Sequence, residues 1–302
     1  QEIPLIYKKL LDEFPGIDTP NFKKRPQVIH NIATQGRPVK AVPRPIGAPG
    51  TPKYEAAKLA WTELEKLGVI KRVRPDENSY WTSALHLQLK ADGSLRPCGD
   101  YRPLNEVTEL DKYPLPNIRD FAPKLKGAKF FAKIDLTKAY YNVGLDKPSS
   151  LKTAVITPWG CYKFLRLSMG LRNSAQTFQR LMDKVCEGLE VFAYIDDILV
   201  YANTREELHD KLRELLRRLQ KAGLAINRGK CIFETKKLEF LGYWVTTTGI
   251  SPLPRKIKAI RDFPAPTSAK ALLGFLGAIN YYRRCLRSLN GKSAAEILQP
   301  LY

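Results

Sequence analysis

Three aspartates at the ends of apolar runs are the residues best able to do chemistry in this sequence. Asp196 and Asp197 are adjacent within VFAYIDDILVYA, and Asp135 ends the run FFAKIDL. If these runs are strands that meet at one sheet edge, each carboxylate loses hydration worth several kcal/mol. A divalent cation offsets that loss, because Mg²⁺ prefers hard oxygen ligands and completes its shell with water and phosphate oxygens. Two such ions about 3.5–4 Å apart would clamp the oxygens of a phosphoryl displacement.

The doublet alone has a simpler interpretation as a polar hairpin turn. Strands over 191–195 and 198–202 would leave Asp196 and Asp197 as a two-residue loop, a connection that asks for positive φ, which Asp tolerates. Without a third carboxylate, the turn is the more common use of such a pair. Asp135 shifts the balance toward a metal site.

The overall charge indicates a polyanionic partner. The chain has 302 residues, with 50 Lys and Arg against 30 Asp and Glu, giving a net charge of +20. Nucleic acid is the usual reason to carry such a charge, and a basic chain with an acidic metal site suggests nucleotidyl transfer. No apolar run is long enough to cross a membrane. Five cysteines without CxxC spacing argue against a zinc site and fit a reduced, intracellular setting.

The elements around the aspartates are predicted as an α+β arrangement. FFAKIDL is predicted as a strand and residues 175–189 as a helix. The clearest helix is TREELHDKLRELLRRLQKAG, with Thr204 and Glu207 as a capping box and Gly223 as its end. Helices would cover one face of a mostly antiparallel sheet, in a palm-like split βαβ order.

The flanking regions have weaker signals. A helix is expected from Tyr54 to Leu67, and LHLQLK and LRPCGDYRPLN flank an Asp-Gly turn as a hairpin. LEFLGYWVTTTG reads as one strand from Leu238 with a turn at its end. Pro-rich breaks mark off a last region with one strong helix, from Ala269 to about Leu289.

These motifs together resemble the retroviral-type reverse transcriptases, most closely those of the Ty3/gypsy class of LTR retrotransposons. A lone YxDD is a weak signal, whereas eight motifs in the family's order are specific. They are RPCGDYRPLN, DKYPLPNI, KIDLTKAYYNV, KTAVITPWGCYKFLRLSMGLRNSAQTFQ, YIDDILV, GLAINRGKC, EFLGYW and LLGFLGAINYYRR. The resemblance implies an RNA-directed DNA polymerase that also uses DNA templates, folded as a right hand of fingers, palm and thumb.

The resemblance also implies a division of the chain. Its parts are an N-terminal extension at 1–23, fingers at 24–109 and 143–172, palm at 110–142 and 173–248, and thumb at 249–302. The chain opens with Gln1 rather than Met, which suggests a piece of something longer. It stops at QPLY, where relatives continue into an RNase H domain, so no RNA-strand cleavage is expected of it.

The metal site follows from the same resemblance. Asp135, Asp196 and Asp197 match the catalytic triad, and the backbone of Leu136 is a further expected ligand. Two Mg²⁺ ions are implied, with Mn²⁺ as a substitute. One ion would lower the pKa of the primer 3′-hydroxyl, and the other would hold the triphosphate and the pyrophosphate leaving group.

The dNTP site is implied at several positions. Tyr140 matches the aromatic gate beneath the incoming sugar, where a ring leaves no room for a 2′-hydroxyl; Tyr141 next to it is a better core residue or an alternative gate. The other positions are Lys90 and Arg96 at the triphosphate, Met169 and Gly170 under the nascent base pair, and Lys230 as a proton donor to pyrophosphate. Taken alone, Lys90, Arg96 and Lys230 are also ordinary surface charges.

The template-primer site is implied nearer the C-terminus. Leu241, Gly242 and Tyr243 match the primer grip, with a core strand as the alternative. Gly274 and Gly277 would let a thumb helix approach a minor groove, although helix–helix packing explains them equally well. From Arg255 to the end of the chain there are nine Lys and Arg residues and only two Asp and Glu residues. Arg283 and Arg284 are the basic thumb residues expected at nucleic acid.

The expected partners are an RNA/DNA hybrid or duplex DNA template-primer and dNTPs, without a membrane; a homodimer is left open. The expected setting is the cytoplasm, within virus-like particles. Two other functions are weighed. A catalytically silent nucleic-acid-binding module conflicts with the presence of all three aspartates, and RNA-templated RNA synthesis conflicts with Tyr140.

Overall fold

Helices and strands alternate along most of the chain. The computed structural model describes residues 2–22, 26–77, 79–89, 93–282 and 294–299. The helices are α1 (Leu5–Asp12), α2 (Pro52–Lys66), α3 (Arg102–Glu106), α4 (Ile118–Leu125), α5 (Lys147–Lys152), α6 (Ser174–Cys186), α7 (Arg205–Ala222), α8 (Pro254–Arg261), α9 (Ala269–Tyr282), α10 (Ala294–Leu298) and a 3₁₀ turn at Ala139–Asn142. The strands are β1 (Ile29–His30), β2 (Ile70–Arg72), β3 (Ser83–Leu89), β4 (Leu95–Gly99), β5 (Phe130–Thr137), β6 (Gly144–Leu145), β7 (Val155–Thr157), β8 (Gly160–Phe164), β9 (Val191–Tyr194), β10 (Asp197–Ala202), β11 (Ala225–Ile226), β12 (Ile232–Thr235), β13 (Lys237–Phe240), β14 (Tyr243–Thr246) and β15 (Gly249–Pro252).

The central sheet has the strand order β11–β5–β10–β9, and β12 also pairs with β5. Strand β10 lies between β5 and β9 and is antiparallel to both. Strands β5 and β9 therefore run parallel, with α6 between them along the chain. This is the predicted split βαβ arrangement, and the α+β class is confirmed.

The two faces of the central sheet have different cover. Ala132 and Ile134 of β5 share a buried cluster with α6 and α7, to which α7 contributes Leu208, Leu212, Leu215, Leu216 and Leu219. Phe131, on the opposite face, packs with Phe240 and Tyr243 of the C-terminal hairpins. Because side chains alternate along a strand, Lys133 and Asp135 lie on the face of Phe131. Helices α6 and α7 thus cover one face, whereas α4 packs with the hairpins on the face that carries the carboxylates, so the prediction that helices cover one face only is wrong.

A second sheet has the order β2–β8–β7–β3–β4. Strands β3 and β4 pair from Leu85↔Gly99 to Leu89↔Leu95, which is the predicted hairpin. Gly93 in its loop has a φ of +79°, a value that suits glycine. The predicted helix at 54–67 is α2, whose Trp61 packs edge-on against Phe164 of this sheet.

The C-terminal hairpins correct one prediction. The expected single strand from Leu238 breaks into β13 and β14, which pair with each other across Leu241 and Gly242. These residues have φ of 48° and 83°. Positive φ at both central residues is the geometry of a type I′ hairpin turn. The apolar run continues through the turn, so the alternating pattern does not mark the break.

Helix boundaries agree with the sequence to within a few residues. Helix α6 ends at Cys186, three residues before the predicted end. At the start of α7 the Thr204 side chain accepts a hydrogen bond from the Glu207 amide, and Gly223 ends the helix with a φ of 76°, both as predicted. Helix α9 begins at Ala269 as predicted and is described as far as Tyr282; the rest of that prediction lies outside the described residues.

The N-terminal segment belongs to the central core. Tyr7, Leu10 and Leu11 of α1 are buried, and Tyr7 stacks on Phe233 at 5.6 Å. The Ile226 amide donates to the carbonyl of Ile17 at 2.9 Å. None of the helices in the described ranges combines the length and apolar character that crossing a bilayer requires.

Candidate active site

The β5–β10 ladder brings the aspartates together at one edge of the central sheet. Asp197 is the direct cross-strand partner of Asp135, and the same register continues as far as Ala202↔Phe130. Directly opposed side chains on an antiparallel pair lie about 4.5–5.5 Å apart at Cβ. The Leu136 amide donates to the Asp196 carbonyl at 3.2 Å, which ties the turn to β5. Asp135 therefore shares one site with a doublet that lies about 60 positions later in the chain.

The turn of the doublet differs from the prediction by one residue. Tyr194 pairs with Asp197, so the two loop residues are Ile195 and Asp196 rather than Asp196 and Asp197. The positive φ, 54°, falls on Ile195. A β-branched residue in this region is an outlier, and the first central position of a type II′ turn is normally Gly. The register places Asp197 on β10 facing Asp135.

Electrostatics at this edge favour a cation. Burial raises the pKa of Asp135, and the charges of Asp197 and Asp196 add to that effect. Asp196 is an exposed residue, yet protein packed beneath its carboxyl removes hydration and raises its pKa, with the Asp197 charge contributing in the same direction. Ionised forms that are disfavoured in this way gain from a positive partner.

Lys133 supplies part of that positive charge and was missed by the sequence analysis. Its Nζ lies 2.8 Å from Asp197 Oδ1. This oxygen is buried and, among the described residues, has no hydrogen-bond partner besides the ion pair. Lys133 is two residues before Asp135 on the same strand, so the period-2 rule places both on one face and could have identified it.

The carboxylates do not by themselves form a closed ligand set. Across the described ranges, no three His, Cys, Asp or Glu side chains are grouped so that they could hold a metal ion. Mg²⁺ sites for phosphoryl transfer commonly use one or two carboxylates and take their remaining ligands from water and substrate. A metal ion at this edge would therefore need ligands from water and substrate as well.

The structure separates the two candidate gate residues. Tyr140, in the 3₁₀ turn, stacks on Phe178 at 5.1 Å with an interplanar angle of 14°. Burial and, secondly, the Asp196 charge raise its pKa to about 12. Tyr141 instead packs edge-on against Phe22 at 5.8 Å, in the core. Tyr140 is the residue beside the carboxylates, and its gate role stays a prediction.

Arg96 and Met169 lie together near the doublet. Arg96 Nη1 donates to Met169 Sδ at 2.8 Å, and the Arg96 charge acts on Asp196 in opposition to its burial. Gly170 has a φ of 86°, and its carbonyl accepts from Asn105 Nδ2 at 2.7 Å. Lys90, the other predicted triphosphate residue, lies outside the described residues.

The loop that carries Lys230 is fastened to Asp135. The Asn227 amide donates to the Asp135 carbonyl at 2.8 Å, and the Asp135 amide donates to Cys231 Sγ at 3.4 Å. Lys230 is exposed, and its charge partly counters the effect of burial on the pKa of Asp135. The structure therefore brings Lys230 to the carboxylates.

The predicted primer grip is held by α9. Tyr281 Oη donates to the carbonyl of Leu241 at 3.3 Å, and Tyr243 Oη donates to the carbonyl of Tyr281 at 3.2 Å. A Cβ on Gly242 would stand 3.3 Å from Tyr282 Oη. Tyr282 is buried and Tyr281 is exposed. The turn between β13 and β14 is thus hydrogen-bonded to the C-terminal end of α9.

The small residues of α9 face open space. A Cβ built on Gly274 or on Gly277 meets no heavy atom within 4 Å in the part of the chain that the structure describes. Among the described residues no helix packs against them, and the nucleic-acid surface stays a prediction. Arg283 and Arg284 lie outside the described residues.

The fold is that of a right-hand polymerase. Two solved structures of a foamy viral protease-reverse transcriptase, one in complex with RNA/DNA hybrid and one with dsDNA, match with TM-scores of 0.76 and 0.78 at 23% identity. Both matches cover 98% of this chain, and they cover 39% and 61% of the solved chains. At this identity the likeness shows the fold alone.

The chain belongs to the reverse transcriptase (RNA-dependent DNA polymerase) family, which residues 88–245 match. Relatives include the Retrovirus-related Pol polyproteins from transposons 297 and opus of Drosophila melanogaster, 35% and 34% identical over 79% and 98% of this chain. The Transposon Tf2-3 polyprotein of Schizosaccharomyces pombe is 28% identical over 94%. These are Ty3/gypsy LTR retrotransposons, as predicted. The chain spans 22%, 30% and 21% of these three relatives.

Proposed function

We propose that this chain is an RNA-directed DNA polymerase that also copies DNA templates and adds dNTPs to a primer by a two-metal mechanism. The observation that carries the proposal is the opposition of Asp135 and Asp197 across the β5–β10 ladder, with Asp196 in the adjoining turn, in a chain of this family. In a purely structural role, the three carboxylates would have only the charges of Lys133, Lys230 and Arg96, among the described residues, to offset their repulsion.

The donor set fits Mg²⁺. Asp135 and Asp196 have raised pKa values because of burial, so each gains from a cation, and the buried Asp197 Oδ1 has only the Lys133 ion pair among the described residues. We assign these three carboxylates and the Leu136 backbone as the residues that would hold it. Bound there, Mg²⁺, or Mn²⁺ in its place, would supply Lewis-acid stabilisation to the phosphoryl oxygens.

The surrounding side chains would select and orient the dNTP. The Tyr140 ring, fixed flat against Phe178, would occupy the space that a 2′-hydroxyl needs. Arg96 would bind the triphosphate through its guanidinium, which its contact with Met169 holds toward the doublet. Met169 and Gly170 would lie under the nascent base pair. Lys230, beside Asp135, would donate a proton to the leaving pyrophosphate.

The C-terminal region would hold the template-primer. The turn at Leu241 and Gly242 would position the primer end, and the open face at Gly274 and Gly277 would approach the minor groove. An RNA/DNA hybrid and duplex DNA are the proposed partners, supported by the net charge of +20. We further propose the fingers, palm and thumb boundaries given above, and action within intracellular virus-like particles, which the retrotransposon relatives support.

Primer extension tests the proposal. We expect the wild type, and not Asp196→Asn, to extend oligo(dT) on poly(rA) with dTTP and Mg²⁺, because the amide cannot replace a carboxylate ligand. Anisotropy of a labelled hybrid should show that both proteins bind it. Hybrid binding by both without extension by either would refute the polymerase and leave a binding module.

A further inference from the structure

Gln179 on α6 is a buried polar residue in contact with the turn of the doublet. Its side chain is 0% exposed. Its Oε1 accepts a hydrogen bond from the Ile195 amide at 2.8 Å, and its Nε2 donates to the carbonyl of Ala193 at 3.0 Å and to Asp183 Oδ1 at 2.8 Å. A carboxylate and a carbonyl can only accept, so the amide nitrogen must face them and the amide oxygen must face Ile195.

The bonded backbone group belongs to a strained residue. Ile195 has a φ of 54°, in the left-handed region that β-branched residues avoid. Such a conformation persists only where surrounding contacts over-determine it. Gln179 binds the two successive peptide units that lead into the strained residue, at the Ala193 carbonyl and at the Ile195 amide. Asp196 and Asp197 follow immediately, so their direction depends on the same peptide units.

The orientation of Gln179 is fixed in turn by a chain of polar contacts that reaches the surface. Asp183 Oδ2 accepts a hydrogen bond from Tyr113 Oη. The Arg180 guanidinium lies 4.4 Å from the centre of the Tyr113 ring. Arg180 is itself held by two hydrogen bonds to Asp111, at 2.5 and 2.7 Å. Asp111 and Tyr113 belong to the DKYPLPNI segment, whose residues otherwise have no place in the site.

We propose that Gln179 is a positioning residue, which together with Asp183 and Tyr113 holds the strained Ile195 turn so that Asp196 and Asp197 point toward the cation and the triphosphate. It touches no reacting atom and acts through the backbone of the turn. The role deepens the proposed polymerase function and rests on it. A residue that only filled the core would need no donor or acceptor here, and an apolar side chain of the same length would serve.

The test compares Gln179→Met with Gln176→Met, the same change three residues earlier on α6 at a half-buried position. Two quantities are measured well below the unfolding temperature: exchange of the Ile195 amide hydrogen, followed by NMR, and the Mg²⁺ concentration for half-maximal primer extension. In Gln179→Met we expect exchange at least tenfold faster and a Mg²⁺ midpoint raised at least threefold. In Gln176→Met we expect both to stay within twofold of the wild type.

A folded Gln179→Met protein with amide exchange and Mg²⁺ midpoint both within twofold of the wild type would overturn the inference, whatever its unfolding temperature. If that variant does not fold, Tyr113→Phe and Asp183→Asn carry the test from the outer end of the contact chain. Each of these two variants should speed the amide exchange and raise the Mg²⁺ midpoint, by smaller factors than Gln179→Met. If neither quantity changes in either variant, the inference is overturned. A wild type without extension refutes the proposed function, and the amide exchange still decides the role of Gln179.

Discussion

Replacing Asp135 by Asn should make the metal-free protein more stable while it removes activity. In the metal-free state Asp135 faces Asp197 directly across the β5–β10 ladder. Like charges in this position destabilise a sheet, and burial adds to the penalty on the Asp135 carboxylate. Asn has the same shape without the charge. The ionised carboxylates therefore lower the stability of the metal-free protein.

The expected gain is small because Lys133 offsets part of the repulsion. A directly opposed cross-strand pair contributes roughly 0.2–1 kcal/mol. With Nζ of Lys133 at 2.8 Å from Asp197, we take the middle of that range, about 0.5 kcal/mol. For a chain of this size, 1 kcal/mol corresponds to roughly 2–4 °C, so the unfolding temperature of Asp135→Asn should rise by about 1–2 °C.

The pH dependence gives the sign of the effect independently. The pKa of Asp135 is raised in the folded protein, so the folded state binds a proton more readily than the unfolded state does. Stability contributed by this group is therefore lost as pH rises from the ordinary Asp range through the raised pKa. The difference between Asp135→Asn and wild type should be present at pH 7.5 and should shrink as pH falls through that window.

Calorimetry in low salt with EDTA measures both effects. Glu106→Gln is the matched control, since it changes the net charge equally at an exposed site. Adding Mg²⁺ should raise the unfolding temperature of the wild type and leave that of Asp135→Asn unchanged. The difference between the two unfolding temperatures should then become smaller or change sign. A metal-free Asp135→Asn protein that unfolds 1 °C or more below the wild type at pH 7.5 would refute the electrostatic reasoning.

Three further predictions concern the gate, the thumb surface and the core. Tyr140→Val should raise the ratio of UTP to dTTP incorporation at least tenfold, measured by single-nucleotide extension, whereas Tyr141→Val should lower the unfolding temperature and leave the ratio unchanged. Gly277→Leu should weaken hybrid binding at least fivefold in anisotropy titrations without loss of stability, because no described atom meets a Cβ there; a lower unfolding temperature with unchanged binding would point to packing. Leu216→Ala, fully buried in α7, should cost roughly 2–5 kcal/mol in urea unfolding, and a loss below 1 kcal/mol would contradict the assignment of the core.

The sequence was sufficient to predict an element wherever residues close together in the chain determine it. The 3.6-residue period of α7, with Thr204 and Gly223 at its ends, gives the helix directly. The apolar runs around Asp135 and the doublet give strands, and their polar ends mark the site. The motifs then identified the family and the right-hand fold.

Where the sequence was insufficient, the cause is register or distance. Moving the two-residue loop back by one position in VFAYIDDILVYA still leaves an apolar run on each side of it. The hydrophobic pattern therefore could not show that the loop is Ile195 and Asp196. The Leu241 turn is hidden for the same reason. Gln179 contacts a residue 16 positions away, and nothing in its own neighbourhood indicates that contact. Long-range pairing decides such features.

The central claim is that the three carboxylates at this sheet edge act as one metal-dependent centre for nucleotidyl transfer. Its most direct test is single-turnover addition of one dNTP to a primer on an RNA template, with hybrid binding measured in parallel, for wild type, Asp135→Asn and Asp197→Asn. We expect each variant to lose at least a thousandfold in rate while binding the hybrid within threefold of the wild type. A rate within tenfold of the wild type in either variant would contradict the claim.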